Sequence, residues 1–167
     1  MVDLTPDTIA QFSRKGVLVD ANLLFLLILG FYDRSQIPRN PRTREYVEED
    51  FDLLVELLGH FQRIITVPNV LTEVSNLSTK FDNARRLQFL EHFRCYISAL
   101  DERYVESKLA SVENEFARIG LTDTVIALVA AQKNLVLTAD LGLYRHLMYK
   151  GLAAINFNHI RAQGWIL

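Results

Sequence analysis

With 167 residues, half of them apolar and 23% charged, the chain is long enough for one domain with a substantial core and too balanced in composition for a disordered or fibrous protein. A formal net charge of −2 removes any global attraction to nucleic acid, so contact with an anionic polymer would need a local basic patch or a metal. The single cysteine, Cys95, excludes an internal disulfide and a thiolate zinc site, and it makes the reducing cytoplasm the expected compartment.

In chain order, Thr5-Pro6-Asp7 reads as a helix start: Thr5 as N-cap, Pro6 at the first helical position, and Asp7 at the positive end of the dipole. This predicts an added N-terminal helix over about 5–15, with Ile9 and Phe12 facing the core and Gly16 as its stop. Asp3 and Asp7, with no basic stretch ahead of an apolar core, argue against a signal peptide. Val17-Leu18-Val19 is a short buried strand. Asn22 to Tyr32 reads as a buried helix, because the Leu-rich run lacks the β-branched residues of a long strand. Its apolar part is about half of the ~20 residues that a membrane span needs, so no membrane contact is expected.

Asp33 to Arg44, with Pro38, Pro41 and four arginines, is a loop by composition. Glu45 to Phe61 is a helix on Val47, Phe51, Leu54, Leu58 and Phe61. Ile64 to Val67 is a second strand, and Pro68 opens a helix that carries Glu73. Asn83 to Phe93 is expected to be helical on Leu87, Leu90 and Phe93, Tyr96-Ile97 a short strand, and Asp101 to Ile119 one long amphipathic helix ended by Gly120. Thr122 is the expected cap of an apolar helix, Leu135-Val136-Leu137 is a third clear strand, Leu141 to Tyr149 a helix, and Ala153 to Phe157 a last strand. Strands alternating with helices of this length imply crossover units. The expected fold is therefore α/β, a single domain over 1–167 with three α/β/α layers around a mainly parallel sheet.

Four carboxylates then fall at the ends of elements: Asp20 after the first strand, Glu73 one to two turns into its helix, Asp123 just after Thr122, and Asp140 just after the third strand. In an open parallel sheet such positions converge beyond the carboxyl ends of the strands, where ligands bind. Each acid has a structural alternative. Asp20 could cap the following helix, Asp123 and Asp140 could serve a helix dipole, and Glu73 could be solvated. Taken together, with no Lys or Arg beside Asp20, Glu73 or Asp123, they read as a site. Charges about 4 Å apart repel by roughly 4 kcal/mol at an effective dielectric near 20, and a divalent cation relieves that repulsion. Oxygen donors with few imidazoles or thiols select Mg²⁺ or Mn²⁺. The four histidines are scattered and have no two-His helical spacing. Thr138 is either an ordinary strand-end residue or a partner of bound water or phosphate. Arg39 and Arg42 either grip a nucleic-acid backbone or sit in a solvated loop.

Val17-Leu18-Val19-Asp20-Ala21-Asn22, Pro68-x-x-Leu71-x-Glu73, Leu121-Thr122-Asp123-Thr124-x-Ile126-Ala127 and Leu137-Thr138-Ala139-Asp140-x-x-Leu143 together resemble, in order, the motif set of PIN-domain ribonucleases. The resemblance runs from about Val17 to Phe157. It implies a PIN-like parallel sheet flanked by helices, with Asp20, Glu73, Asp123 and Asp140 as catalytic, metal-binding acids for Mg²⁺ or Mn²⁺. Asn22 and Thr138 would be the supporting polar residues. It further implies a metal-dependent endoribonuclease acting on single-stranded RNA. Many small bacterial members are toxins with an antitoxin partner, which is the expectation here too. This chain differs from them by the added helix and by extra length between Leu29 and Asp123. A homodimer through an apolar helical face is expected. The alternatives are a PIN-like partner-binding module, or a nuclease acting on DNA or structured RNA.

Overall fold

A computed structural model describes residues 6–162. Five strands, β1 (Val17–Val19), β2 (Ile64–Thr66), β3 (Asp101–Glu102), β4 (Leu135–Thr138) and β5 (Ala154–Asn156), form one sheet in the order β3-β2-β1-β4-β5, every pair parallel. Helices α1 (Pro6–Phe12), α2 (Ala21–Asp33), α3 (Glu48–Gly59), α4 (Pro68–Leu77), α5 (Asn83–Ile97), α6 (Ser107–Ser111), α7 (Phe116–Ala130), α8 (Leu141–Tyr149) and α9 (Phe157–Ala162) complete a three-layer α/β/α fold. β1 and β4 are buried along their whole length, as strands covered on both faces must be. Among the described residues no helix is long and apolar enough to cross a membrane.

The strand order reverses direction at β1. β2 and β3 extend to one side, and β4 and β5 to the other. The crevice of such a sheet opens at this switch point, between the carboxyl ends of β1 and β4. Val19 lies opposite Leu137, so Asp20 and Thr138 leave their strands side by side.

The core gathers around α2, whose residues from Leu23 to Gly30 are all buried. An added Cβ on Gly30 would lie 2.2 Å from Cδ2 of Phe51, so only glycine lets the Phe51 ring of α3 reach the α2 backbone. Phe31 meets the same ring edge-on at 5.1 Å between centroids.

The departures from sequence expectation cluster between residues 83 and 119. Tyr96 and Ile97 end helix α5 instead of forming a strand, and the edge strand β3 begins at Asp101. The long helix expected over 101–119 is absent: β3, the short α6 and the start of α7 occupy it, and Leu109 and Val112 are exposed. Leu87 is likewise exposed, and Phe89 takes the core position on α5. Val47 stands at the N-cap of α3 and is exposed instead of facing the core. Leu109 and Val112 recur at helical spacing without a face to cover, and burial, not periodicity, settles the structure there. The N-terminal helix is present as α1, with the Gly16 N–H donating to the Phe12 carbonyl at its end, while the cap assigned to Thr5 lies outside the described residues.

Candidate active site

Asp20 is buried directly after β1 and serves as the N-cap of α2, its Oδ1 accepting from the Leu23 N–H at 2.9 Å. Its Oδ2 accepts from the Thr138 hydroxyl and, at 2.9 Å, from the Ala139 N–H. Asp20 therefore does cap α2, and its second oxygen ties it to the end of β4. A carboxylate offers about four lone-pair positions, and the donors of Leu23, Thr138 and Ala139, with the Asp140 backbone beside them, engage both of its oxygens. Burial pushes the Asp20 carboxyl above the usual range, and the hydrogen bonds from Thr138 and from the backbones of Leu23, Ala139 and Asp140 oppose that rise.

Thr138 is buried at the end of β4 and couples the two acidic loops. It accepts from the Asp140 N–H at 2.9 Å while donating to Asp20. Asp140 is the N-cap of α8, its Oδ1 accepting from Leu143 N–H at 2.9 Å. Its other oxygen carries no protein hydrogen bond among the described residues.

Asp123 comes to the same place from α7. Gly120 has φ 79° and ψ 178°, a conformation open essentially to glycine alone, and it breaks the helix there. Chain direction changes at this point, and Asp123 follows within the first turn after the break. Thr122 does not cap this helix as expected. Its hydroxyl donates to Glu73 Oε1 at 2.6 Å, and the Thr124 hydroxyl bonds the Gly120 carbonyl instead. Glu73 is exposed on α4, which Pro68 opens, and among the described residues its side chain is held only through Thr122.

Asp123 is the acid on which burial and the neighbouring charges act together. Its carboxyl is raised to about 6, first by burial and then by the charges of Asp140, Glu73 and Asp20. Among the described residues no ion pair involves any of the four. The acids do not form a closed cage: among the described residues no group of three or more Asp, Glu, His or Cys is packed closely enough to hold an ion as it stands. Three of the four are turned onto hydrogen-bond donors, and their like charges oppose closer approach. The donor set is all oxygen, anionic and short of protein cations, and it fits a hard divalent cation such as Mg²⁺ or Mn²⁺.

Asn22, on the first turn of α2, is exposed and makes no side-chain hydrogen bond among the described residues. Arg39 and Arg42 are exposed on the loop before α3, and the Arg39 charge helps hold the Asp33 carboxyl low, after the Ser35 and Gln36 hydrogen bonds.

The structure adds a brace that sequence reasoning missed. Asn158 on α9 donates to the Ala139 carbonyl at 3.1 Å, and Ala139 in turn donates to Asp20. Arg161 donates to Asn158 at 3.1 Å and to Asp50 at 2.8 Å, and its guanidinium lies 4.6 Å from the centre of the Tyr46 ring. The sequence signal was Asn156-Phe157-Asn158 at the end of the last strand, which has the same polar-apolar-Asn pattern as Asp20-Ala21-Asn22 after the first.

No family model matches the chain, and no curated protein matches it.

Proposed function

We propose that the chain is a PIN-like, Mg²⁺- or Mn²⁺-dependent endoribonuclease that hydrolyses phosphodiester bonds in single-stranded RNA. The observation that carries this reading is the hydrogen-bond chain from Asp20 through Thr138 to Asp140 across the carboxyl ends of β1 and β4, at the switch point of a parallel sheet, with Glu73 tied to Thr122 beside Asp123 and, among the described residues, no protein cation paired to any of the four acids. The ordered motif set described above supplies the reaction class.

Asp20, Asp123 and Asp140 would hold the cation, Asp140 through the oxygen that carries no protein hydrogen bond among the described residues. When bound, such a cation lowers the pKa of water and neutralises charge on phosphate oxygens. Glu73 is exposed and, among the described residues, tethered only by Thr122, so it is the acid free to turn and accept the proton of the attacking water. Thr138 fixes the spacing of Asp20 and Asp140 through its two hydrogen bonds. Asn22 would contact substrate or bound water from the first turn of α2. Arg39 and Arg42 would draw the RNA backbone toward the crevice. As the toxin of a toxin–antitoxin pair, the chain would act in the cytoplasm as a homodimer, and its antitoxin would present a cation to the acidic crevice.

The test is Asp20→Asn. Asparagine caps helices as well as aspartate does, but its NH₂ must face either the Leu23 N–H or the Thr138 and Ala139 donors. One lost bond there costs about 1–3 kcal/mol, so the variant folds with a lowered melting temperature. Measured below its melting transition, its Mn²⁺-dependent cleavage of an unstructured oligoribonucleotide should fall to background. Cleavage at the wild-type rate rejects the assignment.

A further inference from the structure

A groove of about 360 Å³ runs away from Glu73 along the carboxyl edge of β2 and β3, lined among others by Pro68, Asn69, Glu73, Tyr104, Ser107 and Thr122. It is a meeting of four parts of the chain, with Thr122 of α7 closing one side. Asn69 is in the first turn of α4, Tyr104 stands two residues past β3, and Ser107 is the first residue of α6. The backbone is pinned here: the Arg103 N–H donates to the Thr66 carbonyl at 2.8 Å, extending the β2–β3 pairing up to Tyr104.

Tyr104 is 76% exposed and has no ring contact with another aromatic or cationic side chain among the described residues. Leaving so large an apolar ring in water is unfavourable, and here it walls a concave polar surface instead of lying on a flat one. Asn69 and Ser107 make no side-chain hydrogen bond among the described residues, so a carboxamide and a hydroxyl, each donor and acceptor, remain unspent in the groove. No lining residue is cationic, and Glu73 contributes a carboxylate. That charge balance disfavours a phosphate and suits a neutral, flat group with a polar edge.

We propose that this groove is a nucleobase subsite. One base of the substrate stacks on Tyr104 while its edge bonds Asn69 and Ser107, and the phosphate beside it is carried toward Glu73 and the acidic crevice. The subsite rests on the nuclease reading for its substrate, and it makes that substrate single-stranded, because a base inside a duplex has both faces covered and cannot reach the ring.

The test is equilibrium binding, read by fluorescence anisotropy of a labelled single-stranded oligoribonucleotide. Ca²⁺ is present to satisfy the carboxylate oxygens. Tyr104→Ala should weaken binding roughly tenfold and Tyr104→Phe should restore it, since stacking needs the ring and not the hydroxyl. Replacing the bases one at a time by abasic positions should cost wild type a similar factor at one position and leave Tyr104→Ala unaffected there. Equal affinity of wild type and Tyr104→Ala, or no abasic position that matters to wild type, overturns the subsite. Cleavage of the same RNA in Mn²⁺ is scored separately. Its absence, with the Tyr104 contrast in binding intact, rejects the nuclease reading and leaves the subsite standing.

Discussion

Asp123→Asn separates a site that awaits a cation from a chance gathering of acids. The folded carboxyl titrates at about 6 against a usual value of 3.8, raised by burial and by Asp140, Glu73 and Asp20. Between those two values the folded state holds more protons than the unfolded state, so stability falls as pH rises through the window. Below it, the carboxyl is neutral in both states and the effect vanishes. One pKa unit corresponds to about 1.4 kcal/mol, and the full shift to about 3 kcal/mol. Screening at the part-exposed edge of the side chain lowers this to about 1.5–3 kcal/mol.

Asparagine removes the charge, and its NH₂ can donate to a neighbouring carboxylate. In EDTA at about pH 8 the variant should therefore melt higher than wild type, by about 3–12 °C for a chain of this size, and the difference should close near pH 4. Mn²⁺ should raise the wild-type melting temperature at pH 8 and do less at pH 5, where protons compete for the same oxygens. In the variant the Mn²⁺ response should shrink at both. A calorimetric or fluorescence melt at about pH 8, 5 and 4, with and without Mn²⁺, measures each of these differences. A variant less stable than wild type at every pH, with the Mn²⁺ response preserved, would refute the reasoning.

Three further outcomes are expected. Gly30→Ala drives a Cβ into the Phe51 ring at 2.2 Å and should destabilise the fold by about 1–3 kcal/mol in a denaturant titration, with Phe51→Ala in the same chain relieving part of the clash. Asn158→Ala removes the bond that steadies the Ala139 carbonyl behind Asp20, and it should weaken Mn²⁺ affinity about tenfold while all four acids remain; unchanged affinity by calorimetric titration would make Asn158 a purely structural brace. Replacing Arg39 and Arg42 together by alanine should flatten the salt dependence of RNA binding by about 1.4 in log–log slope, and an unchanged slope returns that loop to solvent.

The strands and the acids were legible because their signals are local. Val17-Leu18-Val19 and Leu135-Val136-Leu137 are continuous apolar runs that end in polar residues, which is what a strand buried on both faces demands. Asp20 and Asp140 could be seen as strand-end acids, and Pro68 and Gly120 announced a helix start and a break. The segment from residue 83 to 119 was not legible in this way. Leu109 and Val112 keep helical spacing but find no surface to cover, while Asp101 and Glu102, with no β-favouring side chain, pair at the sheet edge because β2 offers free backbone groups there.

From its own order of residues the chain determined a parallel α/β sheet and the places at which its acidic side chains leave the strands and helices. Periodicity and end-of-element chemistry act over a few residues and need no partner. Only the tertiary structure decided that β1 and β4 lie side by side, that Thr138 ties Asp20 to Asp140, that Thr122 reaches Glu73 instead of capping its helix, and that Asn158 braces the floor. Those are contacts between residues as many as 119 apart in sequence, as between Ala139 and Asp20, and they exist because a core centred on α2 fixes the strand order around it.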